Sequence, residues 1–131
     1  MSRRDRRAYL LVTDPEGRVL VLRNKRGSWT LPGGRAHRGE KLRHTAVREA
    51  FEETGLTLVP GVRVACLNTR RRRWKVFTAE TASALEPRPG REIRLARWVT
   101  AEEAVGLLRK KFLRRAVRAV VSESGSVPVG A

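Results

Sequence analysis

Apolar and polar positions follow two different periods along this chain. Residues 8–13 (AYLLVT) and 18–23 (RVLVLR) are short apolar runs of strand length, separated by Asp14-Pro15-Glu16-Gly17. Asp at the first turn position, Pro at the second and Gly at the fourth are the preferences of a type I turn, so the pattern predicts a hairpin. Residues 24–40 (NKRGSWTLPGGRAHRGE) contain Gly27, Pro32, Gly33, Gly34 and Gly39 and predict a loop. From 41 to 54 the period lengthens to that of a helix, with Leu42, Ala46, Val47, Ala50 and Phe51 as its apolar positions and Gly55 as its stop. Residues 62–68 and 74–80 predict two further strands joined through TRRRR, and a Pro/Gly-containing stretch (Pro87, Pro89, Gly90) leads to a strand over 92–99. Thr100 and Glu103 have capping-box spacing and open a short helix. A last helix over 110–122 carries Phe112, Leu113, Ala116, Val117, Val120 and Val121 on one face and Lys110, Lys111, Arg114, Arg115 and Arg118 on the other.

Strands, a central helix, more strands and closing helices imply an α/β or α+β layered sandwich with a mixed sheet. With 131 residues and neither a repeat nor a linker, a single domain over 1–124 is expected, followed by a frayed tail over 125–131. No apolar run approaches membrane-spanning length, and the basic start closes too early for a signal peptide. Cys66 is the only cysteine, so an internal disulfide is excluded; a reducing cytoplasm fits, with Cys66 read as a small buried residue on a strand.

Charge changes this picture most. Lys and Arg number 29 against 13 Asp and Glu, a formal net charge of +16, which favours polyanionic partners such as nucleotides, polyphosphates or RNA. An ordinary Arg-rich solvated surface accounts for part of it. Against that background, Glu49, Glu52 and Glu53 stand within five residues of one another. On a helix the three share one face within an arc of about 100°, while Val47, Ala50 and Phe51 are expected to turn elsewhere, towards the sheet. Like charges at this spacing repel by roughly 0.2–0.5 kcal/mol per pair, so a counter-charge is expected. Arg48, four residues before Glu52, supplies part of it. Three carboxylates beside a Gly-rich loop are hard oxygen donors suited to Mg²⁺, with Mn²⁺ as substitute, and Mg²⁺ commonly bridges to phosphates. A solvated acidic helix face is the plain alternative.

The wider spacing separates the two. Gly34, five residues, Glu40, seven residues, Arg48-Glu49-Ala50, one residue, Glu52-Glu53, one residue and Gly55-Leu56 together resemble the Nudix box of the Nudix hydrolases, with WTLPGG (29–34) as its lead-in. The resemblance implies an α/β/α sandwich and a metal-dependent hydrolase of nucleoside diphosphates linked to another moiety. It implies Glu49, Glu52 and Glu53 as metal ligands, with a backbone carbonyl from Gly34 or Gly33. Arg48 would orient a glutamate, Glu40 would brace the loop, and Glu52 or Glu49 would be the general base. Glu92, ahead of Glu80, is the candidate for an assisting acid from beyond the box, although either also reads as an ordinary surface acid.

Outside the box, Arg23 could hold a phosphate, and Arg70 to Arg73 could grip a polyphosphate or an RNA backbone, with at least two of the four simply solvated. Trp29 and Trp74 are candidates for base stacking, but core or sheet packing is favoured for both, and more strongly for Trp98. His37 and His44 read as surface residues. Three functions follow, in order: a hydrolase of small nucleotides such as (d)NTPs or nucleotide sugars; a hydrolase of triphosphorylated RNA, dinucleoside polyphosphates or diphosphoinositol phosphates; and a non-catalytic nucleotide-binding module. A monomer or homodimer is expected, with the apolar stripe at 112–121 assigned to the core by default.

Overall fold

The computed structural model describes residues 4–82, 85–90 and 92–125. The elements run β1 (Asp5–Thr13), β2 (Val19–Asn24), β3 (Trp29–Thr30), β4 (Gly33–Arg35), α1 (Leu42–Thr54), β5 (Arg63–Asn68), β6 (Arg72–Glu80), β7 (Ile93–Val99), α2 (Ala101–Leu107) and α3 (Lys111–Gly125). The strands form one sheet in the order β3-β2-β1-β6-β5, with β4 also pairing β1 and β7 pairing β2. β1 and β6 run parallel over Asp5↔Arg72 to Thr13↔Glu80, and the other pairs are antiparallel, so the sheet is mixed.

Helices cover both faces, which explains why β1 and β2 read as nearly unbroken apolar runs. Ala8, Leu10, Val12, Leu20 and Leu22 join Leu42, Ala46 and Ala50 of α1 in one core. Their neighbours Tyr9, Leu11, Val19 and Val21 join Ala104 of α2 and Leu113, Ala116 and Val117 of α3 in the other. The architecture is therefore an α/β/α sandwich. The turn after β1 forms as its sequence requires: Gly17 N–H donates to Asp14 O at 2.9 Å, and the buried Asp14 carboxylate accepts from the Arg18 guanidinium at 2.7 Å. The capping box of α2 also forms, with Thr100 Oγ1 accepting from Glu103 N–H and Thr100 N–H donating to Glu103.

Several expectations are corrected. The loop over 24–40 contains β3 and β4, two strands of two and three residues that are too short to show alternation. Arg72 and Arg73 lie within β6, leaving Arg70 and Arg71 at the turn. Phe51 is 54% exposed. The face α1 buries is centred on Leu42, Ala46 and Ala50, and Phe51, almost half a turn round from Leu42, points the other way. Cys66 sits on β5 as expected, but exposed on a strand that pairs only with β6. Val121, assigned to the apolar stripe, is exposed. α3 continues to Gly125, and the remainder of the tail falls outside the described residues.

Candidate active site

The acidic residues of α1 are not on a separate face from its apolar ones. Glu49 and Glu53 extend the row begun by Leu42, Ala46 and Ala50 towards the C-terminal end of the helix, where it passes over β4. Glycine makes this approach feasible. A Cβ on Gly34 would stand 2.8 Å from the Glu49 carboxylate carbon, so any larger residue would push that side chain away. Gly33 N–H donates to Glu53 Oε1 at 2.8 Å. Gly55 stops the helix in the left-handed conformation (φ 74°), with its N–H donating to Phe51 O.

Arg48 organises the cluster from its rim. Its Nε and Nη2 donate to the two oxygens of Glu40 at 2.8 and 3.0 Å, and Nη1 donates to Oε1 of Glu49 and of Glu52 at 3.0 and 3.1 Å. Nη2 also donates to Arg35 O at 3.1 Å, tying the helix to the end of β4. Glu40 is 15% exposed at its side chain and accepts from His37 N–H and Thr45 Oγ1. The loop ahead of α1 is thereby closed on Glu40, in the bracing position expected of it. Bonds from Arg48, His37 and Thr45 hold the Glu40 carboxyl down at about 2.

Charge is balanced less well deeper in. Burial pushes the Glu49 carboxyl up, against the pull of Arg48. Burial, followed by the neighbouring Glu49 and Glu52, pushes Glu53 up to about 8 despite the bond from Gly33. Glu52 is the most open of the three, with 53% of its side chain exposed against 19% for Glu49. Among the described residues no three His, Cys, Asp or Glu side chains are gathered into a finished cation site. The residues nevertheless fit a divalent cation. Arg48 takes one oxygen of Glu49 and one of Glu52, leaving the second oxygen of each outside these bonds, and all the donors are hard oxygens. Glu53 is a half-buried carboxylate whose one hydrogen-bond donor is a backbone N–H, that of Gly33, among the described residues.

A cleft opens beside Glu53. Its inner basin, about 260 Å³, is lined by Gly33, Gly34, Glu53, Glu92 and Arg7, among others. Glu92 arrives there because the segment before β7 caps α1: Arg88 N–H donates to Thr54 O and Gly90 N–H to Glu53 O. The outer basin, about 330 Å³, shares Arg7, Arg26 and Lys110 with the inner one and adds Trp29, Arg72, Trp74 and Arg109. A larger cavity of about 680 Å³, over Arg4, Arg6, Arg35 and Arg38, contains none of the α1 carboxylates.

The structure thus brings together Gly34, Glu40, Arg48, Glu49, Glu52, Glu53 and Glu92, and it separates other candidates from them. Arg23 is exposed at the end of β2, where its Nε donates to Gly27 O at 3.3 Å, and does not line the cleft. Arg70 is exposed at the β5–β6 turn, outside the cleft as well. Trp74 lines the cleft floor but is only 6% exposed, edge-on to Tyr9 and Phe112, with Arg7 and Arg72 lying over its ring at 4.9 and 5.2 Å. Trp29 is half-buried, with Arg97 over its ring at 5.9 Å. Trp74 is thus packed into the cleft floor, whereas Trp29 is half-buried and lines the outer basin. The chain pattern did not single out Arg7, Arg26 or Arg109. Each is one arginine among many in sequence, and only the fold makes them neighbours.

A family model described as NUDIX domain matches residues 3–120. Over 49 residues the chain is 39% identical to an uncharacterized Nudix hydrolase, YvcI, of Bacillus subtilis (strain 168), a match covering 37% of this chain and 31% of that protein. The matched segment therefore spans less than a third of that curated relative. Among solved structures, a MutT protein from Methanosarcina mazei Go1 has a TM-score of 0.75 at 24% identity, over 95% of this chain and 98% of its own. An Ap4A hydrolase from C. elegans, solved as a binary complex, has a TM-score of 0.77 at 18% identity, over 92% of this chain and 98% of its own. At these identities the structural matches establish the fold alone.

Proposed function

This chain belongs to the Nudix family, and from that premise we propose that it is a divalent-metal-dependent hydrolase of pyrophosphate bonds in nucleoside diphosphates linked to another moiety. One observation supports this above the rest: Glu49 lies against Gly34, Glu53 accepts from Gly33 N–H, and Arg48 ties Glu49 to Glu52, with a basic cleft opening beside Glu53. Glu49, Glu52 and Glu53, with the Gly34 carbonyl, would hold Mg²⁺, or Mn²⁺ in its place. A cation held there would offset phosphate charge and lower the pKa of a bound water. Arg48 fixes the direction of Glu49 and Glu52, and Glu40 fixes Arg48. Glu52, the most open of the three, or Glu49, whose burial brings its proton affinity closer to neutral, takes the proton from the attacking water. Glu92, across the inner basin, assists in moving that proton or in positioning the phosphate. Arg7 and Lys110 hold the substrate's phosphates from the other wall.

Small nucleotides, (d)NTPs in particular, are the first substrate reading. A more highly charged class, such as a dinucleoside polyphosphate, is the second, and the cations of the outer basin favour it. The test is phosphate and pyrophosphate release from a panel of (d)NTPs, 8-oxo-dGTP, ADP-ribose, dinucleoside polyphosphates and triphosphorylated RNA, with Mg²⁺ and with Mn²⁺. Turnover of one class establishes the activity. Folded, metal-replete protein inert across the panel would refute the hydrolase assignment for these substrates.

A further inference from the structure

The outer basin of the cleft is an electrostatic imbalance assembled from four separate stretches of chain. Arg7 comes from β1, Arg26 from the β2–β3 turn, Arg72 from the start of β6, and Arg109 and Lys110 from the link between α2 and α3. Local bonding shapes the stretches that carry them. Asn24 Oδ1 accepts from Arg26 N–H and Ser28 N–H, both at 3.0 Å, shaping the turn that carries Arg26. Leu108 bridges to Trp29, Arg109 N–H donates to Trp29 O at 3.2 Å, and the Arg109 guanidinium donates to Ser28 Oγ at 3.1 Å, so the α2–α3 link is stitched to β3. Arg7 and Arg72 lie over the Trp74 indole.

Among the described residues Asp5 is the one acid lining this basin, and it is already engaged by Arg7 at 3.0 Å and by Arg35 at 3.5 Å. Burial, and then repulsion from Arg7, Arg109 and Arg26, push the Lys110 ammonium pKa down. Cations that line one basin from separate elements repel one another, and an entering anion offsets that repulsion. Trp74 is buried beneath two guanidinium groups, and Trp29 is half-buried with Arg97 at 5.9 Å from its ring centroid, so the basin presents five cations against one partly covered indole.

We infer that the outer basin grips a chain of three or more phosphates through Arg7, Arg26, Arg72, Arg109 and Lys110, and that substrates are selected by phosphate number and not by base. The inference rests on the proposed reaction at the neighbouring carboxylates only for which bond is cut; the grip itself needs no turnover. Binding is therefore measured by calorimetry without divalent cation, in EDTA, using inorganic tripolyphosphate and pyrophosphate as probes. Tripolyphosphate should bind at least about ten-fold more tightly than pyrophosphate, as one further charge-assisted contact would provide. The preference should shrink steeply with added salt. Lys110→Gln and Arg109→Gln should each weaken tripolyphosphate by about three- to ten-fold, whereas Arg94→Gln, an equal loss of charge at an exposed site outside the cleft, should leave it unchanged. Equal affinity for the two probes, or equal weakening by all three variants, would overturn the inference.

Two further arms separate sources of the same chemistry. Nucleoside triphosphates with the four bases should bind within about three-fold of one another, since a stacked base would contribute ~1–3 kcal/mol. A ten-fold preference for one base would contradict selection by phosphate number. A 5′-triphosphorylated RNA oligonucleotide should bind no more tightly than tripolyphosphate. Affinity rising with oligonucleotide length would identify nucleic acid as the ligand and overturn the reading. Because no arm reads hydrolysis, an inactive protein that still counts phosphates would refute the proposed reaction and leave this inference standing.

Discussion

Two like-charge clusters lie side by side in this molecule, and they are held together in opposite ways. The acidic one, Glu40, Glu49, Glu52 and Glu53, is drawn around Arg48, which donates to three of its four members. Glu53, the fourth, receives only a backbone N–H and lies beyond the hub's bonds. The basic one, Arg7, Arg26, Arg72, Arg109 and Lys110, has no comparable hub. Asp5 answers Arg7, and the other members are fixed by turns, carbonyls and an indole face. An internal counter-charge makes the acidic cluster rigid and leaves one defined deficit, suited to a single cation. Scaffolding without counter-charge leaves the basic cluster with a distributed deficit, suited to an extended anion.

The largest effects are expected in the acidic cluster. Glu53→Gln or Glu52→Gln should lower kcat by more than about 100-fold, the upper range for loss of a residue that only supports a metal ligand. Thermal unfolding should show both variants folded. Arg48→Lys keeps the charge but removes the fork that reaches Glu40, Glu49 and Glu52 together. It should cost about 10- to 100-fold in metal affinity or turnover, read from a Mg²⁺ titration of activity. Full activity in Arg48→Lys would show that the cluster needs a charge at its rim and not a hub.

Glu53 and Glu40 should give the stability opposite dependences on pH. Glu53 is raised to about 8 from an ordinary value of 4.5, so the folded, metal-free protein keeps a proton that the unfolded chain releases. Its stability should fall as pH rises from about 4.5 to about 8. Glu53→Gln should flatten that dependence, and so should saturating Mg²⁺, which takes the proton's place. Glu40 works in the opposite sense. Held down at about 2, it contributes stability above its ordinary value of 4.5 that is lost as pH falls through about 2. Denaturant midpoints across pH 3–9 separate the two.

The smallest expected effect lies on the other side of α1. Phe51→Ser should change stability by less than about 0.5 kcal/mol, because the ring is largely in solvent. Leu10→Ala, in the fully buried core under the same helix, should cost roughly 2–5 kcal/mol. Equal losses at the two positions would show that Phe51 is covered in solution.

The same contrast explains what could be read from the chain alone. The acidic cluster lies on one helix and its preceding loop, so its spacing is a sequence pattern, and Gly34, Glu40, Arg48 and the three glutamates of α1 were legible in it. β1 and β2 were legible for a similar local reason, since burial on both faces leaves an uninterrupted apolar run. The basic cleft was not legible, because Arg7 and Lys110 are 103 positions apart in number and meet only through the pairing of β1 with β6 and the docking of the α2–α3 link on β3. β3 and β4 were hidden by their length. Phe51 misled because it was read with Ala50 as one apolar stripe, whereas the buried row runs through Leu42, Ala46 and Ala50 and leaves Phe51 on the far side. In α1 the small residues Ala46 and Ala50 face β1 and β4, where close approach brings the glutamates to Gly33 and Gly34.

Glu49, Glu52 and Glu53 are proposed to hold a divalent cation for cleavage of a pyrophosphate bond. The most direct measurement is hydrolysis of the best panel substrate by the wild-type protein and by Glu53→Gln, across a Mg²⁺ titration that starts in EDTA. The account predicts no turnover in EDTA, saturable activation by Mg²⁺ in the wild type, and a folded Glu53→Gln protein that stays inactive at every concentration. Turnover in EDTA, or Mg²⁺ activation of Glu53→Gln equal to that of the wild type, would contradict it.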